Sequence, residues 1–396
     1  MYLYTSESVS PGHPDKCADI IADRIVDELL KLDKNARVAT EVFVVGKNVI
    51  IGGEVKIDKN IDKNFYINCA KEALKYIGYP EKGFSENETI FPEDLNYEVY
   101  ISRQSPEISI GVDKEGEIGA GDQGMMIGFA TDEREDFMPA ALMMARELRD
   151  ILYNNAKLNP HIFGIDLKTE VVLDYESKEN FDKNIPKRVD KIIIAQSHSK
   201  DFNEEDIRKN LKELIFKQAS FTDMIDEKTE FFINGTGKFV IHGPIADSGL
   251  TGRKVVADTY GAYAPVGGGA QSSKDYTKVD RSGLYAARWI AKHIVAAGLA
   301  KKAVVEISYV IGIAKPLSVT VNTLGTSKTK LKDEELSDLI KNRFPLTPLW
   351  ITKKFGLDEP IKNGFTYVQT AARGQVGYEE YPWEKLDELE WFKSLP

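Results

Sequence analysis

Three times along 396 residues, paired β-rich runs alternate with helical segments of apolar period near 3.6. In the first block, PDKCADIIADRIVDELLKL (14–32) sets Ala18, Ile21, Ala22, Ile25 and Leu29 at helical spacing behind a Pro-Asp start, which predicts an amphipathic helix. ARVATEVFVVGKNVIIGGEVKI then reads as a hairpin about Gly46, Lys47 and Asn48, with Glu41 and Glu54 set in otherwise apolar strands. A helix over 68–77 and a strand over 97–103 close that block. The second block predicts strands over 125–130, 168–175 and 189–197 and helices over 138–155 and 204–219. The third predicts helices over 281–297 and 333–342 and strands over 303–312 and 318–323. The expected fold class is α+β: three similar small sandwiches over 1–103, 119–240 and 241–396, with a long glycine-rich loop over 104–118. A dinucleotide fold is disfavoured, because no G-x-G-x-x-G joins a strand to a helix and the strands come in hairpin pairs.

Composition narrows the function. Sixty-two acidic residues against fifty-two basic ones give a net charge of -10, which argues against a nucleic-acid surface. No apolar run approaches membrane-spanning length and the first ten residues lack the pattern of an export signal, so no membrane partner is expected. Cys17 and Cys69 offer neither a disulfide framework nor paired zinc spacing, which fits a reducing cytoplasm. With so acidic a chain, local groups of cations become informative.

Four polar clusters stand out. SVSPGHPDK crowds His13, Asp15 and Lys16 at a helix N-terminus, where free N–H groups favour an anion; plain capping by Ser10 or Asp15 is the structural alternative. GAGDQG (119–124) is a tight turn holding Asp122. GPIADSGLTGRK brings Asp247, Arg253 and Lys254 among glycines, a pairing of guanidinium and ammonium suited to polyphosphate or to a solvated turn. VGGGAQSSKD (266–275) continues to Lys278 and Asp280. Counted as a Walker loop from Gly268 it fails twice: Ser273 stands at the second glycine and Asp275 at the magnesium-binding hydroxyl. Together the clusters supply His13, Lys16, Arg253, Lys254, Lys274 and Lys278 against Asp15 and Asp280. That set exceeds the needs of a monophosphate and suits a triphosphate with magnesium. His161, His198, His242 and His293 show no metal-ligand spacing, and the methionines of 138–144 read as packing.

TSESVSPGHPDK, GGEV, GAGDQG, GPIADSGLTGRK, GGGAQSSKD and KVDRS occur in that order over nearly the whole chain. In this the sequence resembles the S-adenosylmethionine synthetases. The resemblance implies three α+β domains related by pseudo-threefold symmetry, with segments crossing between them. It implies attack of the methionine sulfur on C5′ of ATP, release of tripolyphosphate, and its hydrolysis to phosphate and diphosphate. A thioether has no proton to lose, so the first step needs charge stabilisation rather than a base. At an effective dielectric of about 20, a cation about 4 Å from a unit negative charge contributes about 4 kcal/mol before desolvation.

Carried over by motif, His13, Lys168, Asp122, Arg253 and Lys274 are the implied catalytic residues. His13, Asp166, Lys168, Lys238, Phe239, Asp247, Arg253, Lys254, Ala270 and Lys274 are the implied ATP contacts. Glu54, Gln104, Asp247 and Lys278 match the methionine site. Asp15 and Asp280 match ligands of two Mg2+ ions and Glu41 a ligand of K+. The loop after Gln104 matches a gate over the site. The resemblance also implies a homo-oligomer, a dimer or a dimer of dimers, with active sites between subunits.

The sequence departs from the usual GGGAFSGKD at Gln271 and Ser273, and also at Tyr276, Gly235 and Pro11. A catalytically silent nucleotide-binding subunit on the same scaffold is the alternative; it would have lost some of His13, Asp15, Asp122, Lys274 or Asp280, and all five are present.

Overall fold

The computed structural model describes residues 1–103, 113–114 and 117–396. Three sheets carry the fold, each faced by helices. In the first, β1 (Leu3–Val9), β8 (Phe163–Asp174), β9 (Arg188–His198) and β10 (Glu230–Ile233) lie in that order, antiparallel except for the parallel β9–β10 pair. In the second the order is β11 (Gly249–Leu250), β2 (Arg37–Val45), β3 (Asn48–Lys56) and β4 (Asn96–Arg103). In the third, β12 (Lys302–Tyr309) is central between β13 (Ser318–Asn322) and β7 (Gly124–Thr131). The short pair β5 (Asp113–Lys114) and β6 (Glu117–Ile118) falls inside the expected gate, whose other residues, Gln104 included, lie outside those described. Each main sheet draws strands from more than one of the linear segments 1–103, 119–240 and 241–396.

The main helices are α1 (Pro14–Leu32), α2 (Lys63–Ile77), α3 (Ala140–Leu158), α4 (Glu204–Gln218), α5 (Val279–Ala296), α6 (Asp333–Arg343), α7 (Pro348–Phe355) and α8 (Tyr367–Arg373). Local chemistry explains several boundaries. Asp62 caps α2 by accepting from the Phe65 amide, and Gly78 ends it at φ +124°, a conformation that favours glycine. The β2–β3 hairpin turns at Gly46, φ +55°, as its composition predicts. Among the described residues no helix is long and apolar enough to cross a membrane, and both cysteines are buried free thiols.

α1 forms over the expected residues with an apolar face, but its polar residues Asp15, Lys16, Asp19, Asp23 and Asp27 are buried along with the apolar ones. The reason is that its polar face meets loops and a second helix rather than water. The N-terminal strand β1 and helices α7 and α8 were not expected, since TSESV carries few β-formers and the C-terminal helices are short.

α5 packs on β7 so closely that a Cβ added at Gly128 would sit 2.0 Å from the Ala287 carbonyl carbon, and only backbone displacement could relieve that. Gly128→Ala is expected to cost about 1–3 kcal/mol or more through overpacking, read as a lowered urea midpoint; an unchanged midpoint would refute the close approach.

Candidate active site

The N-terminus of α1 builds the first half of the site. His13 is the N-cap: its Nδ1 accepts the Asp15 amide at 3.2 Å, so the neutral ring carries its proton on Nε2, where it can be offered to an oxygen. Burial, then the Lys254 ammonium, lower the His13 pKa to about 4, so the ring is neutral at pH 7. Ser10 does not cap the helix; its hydroxyl instead donates to the Ile165 carbonyl of β8 at 2.6 Å. Asp15 accepts the Leu250 amide at 3.0 Å, Lys254 Nζ at 2.5 Å and Arg253 Nε at 3.1 Å. Burial pushes its carboxyl up, but Lys254 and the Leu250 amide outweigh that and hold it below the usual carboxylate range. Lys168 and the exposed Asp247 complete this group, close enough to act on the His13 charge, and Lys168 is itself paired with Glu7.

The glycine-rich loop builds the second half. Lys274 Nζ lies 2.6 Å from Asp280 Oδ2. Burial raises the Asp280 pKa, Lys274 opposes this, and neighbouring Asp122 reinforces it. Gly269 lies against the Asp280 carboxylate: an added Cβ would stand 2.1 Å from its Cγ, so a larger residue would have to push aside the carboxylate that Lys274 holds. Gly252 of the adjacent loop lies as close to Ala270, where an added Cβ would stand 2.6 Å from the Ala270 Cβ, and this approach joins the two halves.

Both loops lie along the outer edge of β2. Gly249 and Leu250 pair with Val44 and Phe43, the Thr251 hydroxyl accepts the Val42 amide at 2.8 Å, and Lys274 bridges Ala39. Glu41 stands between those contacts. Desolvation raises its carboxyl pKa, while Lys274 and the hydroxyls of Thr251 and Ser273 hold it down. Glu54 of β3 is in register with Ala39, so it lies two strand spacings, about 10 Å, from Lys274.

The departures in the loop acquire local reasons. Gln271 is buried and its Nε2 donates to the Gly269 carbonyl at 3.0 Å, bracing the turn from inside. Tyr276 receives Arg37 Nη1 at 3.0 Å and donates to the Lys34 carbonyl, tying the loop to β2. Ser273 occupies φ +83°, where glycine is favoured.

Two of the expected cations turn elsewhere. Lys16 is buried on Asp258 at 2.6 Å and Asp19 at 3.3 Å, because its position on α1 points into the protein interior. Lys278 lies 2.6 Å from buried Asp275, a carboxylate that also binds the Val38 amide, the Thr277 amide and the Thr277 hydroxyl.

On the β8 side, Asp166 accepts the Gly243 amide at 2.8 Å, and its pKa is raised by burial to about 6 against the pull of His242. His242 Nε2 lies 2.6 Å from Glu81, whose other oxygen accepts the Ile165 amide; Glu81 outweighs burial and raises the His242 pKa. This buried pair holds the segment that follows Phe239, itself bonded to His198 through its amide and carbonyl. Lys238 is exposed beside it. A cavity of about 240 Å³ is lined by Phe239, Ile193, Ile194, Phe232 and Asn234. A larger one, about 840 Å³ among Arg134, Glu135, Lys292 and Glu384, contains none of the expected site residues.

The sequence reading missed Asp19, Asp23, Asp27 and Arg281. Asp19 accepts the Gly252 amide at 2.9 Å, Asp23 accepts the Ser273 amide at 2.8 Å and Arg281 at 2.5 Å, and Asp27 accepts the Tyr367 and Val368 amides. The available signal was an aspartate at every fourth position from Asp15 to Asp27, which sets all four on one helical face.

Models of the S-adenosylmethionine synthetase N-terminal, central and C-terminal domains match residues 1–106, 117–239 and 241–385. The chain belongs to the S-adenosylmethionine synthetase family. It is 41% identical to an S-adenosylmethionine synthase of Chlorobium phaeobacteroides, over 99% of this chain and 98% of that one. It matches the structure of an unusual S-adenosylmethionine synthetase from Campylobacter jejuni with a TM-score of 0.94 and 52% identity, over all of both chains. The three-domain α+β fold is therefore that of the family, and the activity is that of a methionine adenosyltransferase. Nothing in these likenesses favours a silent subunit.

Relieving the left-handed backbone at Ser273 is expected to stabilise the protein. Ser273→Gly should gain about 1 kcal/mol, seen as a raised urea midpoint, and a lowered midpoint would show that the serine side chain stabilises the loop by more than its strain costs.

Proposed function

We propose that this chain joins methionine to the C5′ of ATP at the cleft between α1, the 249–254 loop and the 267–275 loop, and then cleaves the released tripolyphosphate there. The observation that carries the reading is the convergence of His13, Lys168, Arg253, Lys254 and Lys274 with Asp15, Asp122 and Asp280 around two adjoining loops. Asp166, Lys238 and Phe239 would hold the nucleoside, with Ala270 beside the phosphates and Asp247 next to His13. Glu54 and Gln104, again with Asp247, would receive methionine.

The chemistry asked of these residues is mostly electrostatic. The sulfur attacks C5′ as the bond to the triphosphate oxygen breaks, so negative charge grows on the leaving oxygen while the sulfur becomes a cation. His13, neutral and protonated on Nε2, can donate to that oxygen without losing its proton. Arg253, Lys254, Lys168 and Lys274 spread the remaining charge along the chain of phosphates.

Among the described residues no three His, Cys, Asp or Glu side chains converge into a closed metal cage. Asp15 and Asp280 are single hard carboxylates beside cations, a donor set that fits Mg2+ completing its shell with phosphate oxygens and water. Two Mg2+ ions, one on each, would neutralise the tripolyphosphate, and Glu41 would hold K+ between the two loops. Asp122, beside Asp280, would orient water for the hydrolysis.

The half-open sheet faces expose Val45, Tyr100, Met125 and Leu317, which supports a homodimer or a homotetramer built as a dimer of dimers, with active sites completed between subunits. Buried free thiols fit a cytoplasmic protein.

Incubation with ATP, methionine, Mg2+ and K+ should yield S-adenosylmethionine with equal phosphate and diphosphate; ADP, AMP or no turnover would sink the reading. Lys274→Ala should lose about a hundredfold or more in kcat, as expected for removal of one preorganised charge-stabilising donor, and near-normal turnover would remove Lys274 from the site.

A further inference from the structure

The main chain on both sides of Lys274 is held by one buried ion pair. Asp23 of α1 and Arg281 of α5 are fully buried and meet at 2.5 Å between Asp23 Oδ2 and Arg281 Nη2. The other carboxylate oxygen, Asp23 Oδ1, accepts the Ser273 amide at 2.8 Å. The other terminal nitrogen, Arg281 Nη1, donates to the Lys274 carbonyl at 2.8 Å. A single bidentate-capable pair therefore grips the residue before Lys274 by its N–H and Lys274 itself by its C=O. The guanidinium is fixed in turn by the Tyr367 ring, 4.4 Å from its Cζ, and Tyr367 is anchored through its amide to Asp27. On the opposite side the loop bonds to β2, the Thr40 amide donating to the Ser273 carbonyl and the Asp275 amide to the Val38 carbonyl.

We propose that Asp23 and Arg281 are positioning residues for the reaction, a clamp that sets the backbone of Lys274 so that its ammonium stands at the tripolyphosphate. The inference rests on the assignment of Lys274 to that ligand. Neither residue reaches the cleft, so both act through Lys274. The clamp also accounts for the tolerance of serine at position 273: its N–H and the C=O that follows are held from both sides, which imposes the left-handed conformation irrespective of the side chain. A fork is needed for this arrangement. The single ammonium of lysine can keep the ion pair with Asp23 but cannot at the same time span to the Lys274 carbonyl in the planar geometry of arginine.

Binding of imidotriphosphate, a tripolyphosphate analogue that resists hydrolysis, with Mg2+ and measured by calorimetry, tests this on the full-length protein. Arg281→Lys keeps the buried charge balanced. It should weaken analogue binding and kcat each by about ten- to a hundredfold, the scale of a displaced contact group, while the KM for methionine changes little. In the Lys274→Ala background the same substitution should produce no further loss of affinity, because the group it positions is gone. Asp23→Asn should behave in the same way, and serves as the test if Arg281→Lys does not fold. Wild-type affinity in the clamp variants, or losses that add to that of Lys274→Ala, would overturn the clamp alone. Wild-type affinity in Lys274→Ala would overturn the assignment of Lys274 and the clamp's role with it.

Discussion

The site depends on a row of four buried aspartates on one helix. Asp15, Asp19, Asp23 and Asp27 of α1 accept, in turn, the Leu250, Gly252, Ser273 and Tyr367 amides, groups more than 230 positions away in sequence. A carboxylate taken out of water is costly, and burial pushes Asp19 and Asp27 up to about 7. What offsets the cost is that each oxygen meets an N–H or a cation that would otherwise itself be buried without a partner. α1 thus orders the two loops of the cleft and the start of α8 with one set of interactions. The site inherits its geometry from the core of the protein.

The same economy governs the charges of the cleft. The ammonium groups proposed for phosphate are paired with the carboxylates proposed for metal: Lys254 with Asp15, Lys274 with Asp280. A chain of net charge -10 can therefore keep a group of cations together without leaving them unbalanced. On the proposed reading, a magnesium polyphosphate would exchange these partners, ammonium to phosphate oxygen and carboxylate to metal, so that the number of opposite-charge contacts would be conserved and little bare charge created. His13 stands outside this exchange. Burial and Lys254 keep it neutral, which suits a donor that must neither add to the cation count nor give up its proton.

Much of this was legible in the sequence, and for identifiable reasons. The long amphipathic patterns gave α1, α3, α4 and α5 nearly at their boundaries, and Gly46 marked the β2–β3 turn. Of the motif residues, His13, Asp15, Arg253 and Lys254 group at the start of α1 and Lys274 pairs with Asp280, where glycine and charge coincide in sequence. Strand partnership was not legible: β1 pairs with β8 and β7 with β12 across 159 and more positions, and alternation within a strand says nothing about which strand lies beside it. Lys16 was misread because charge in sequence does not reveal direction; on α1 it faces Asp258, not the cleft. The aspartate row was visible at its four-residue spacing, but acidic residues on a helix normally face water, and only the packing of two loops and α8 against that face buries them.

The glycine-rich loop shows what its failed Walker pattern means. A Walker loop binds phosphate with successive main-chain N–H groups, so its glycines serve to expose amides. Here the amides of Ser273, Asp275, Thr277 and Lys278 are spent on Asp23, the Val38 carbonyl, and the carboxylate and carbonyl of Asp275. Gly269 serves a different purpose: the chain passes within contact distance of the Asp280 carboxylate, which a Cβ would have to push aside. On the proposed reading, this end of the loop would meet phosphate with the Lys274 side chain rather than with these amides. The loop is accordingly built as a rigid rail, tied to β2, α1 and α5, whose single projecting cation is Lys274. Substituting phenylalanine by Gln271 or glycine by Ser273 leaves that construction intact, since each is held inside the loop and neither alters the ties that fix Lys274.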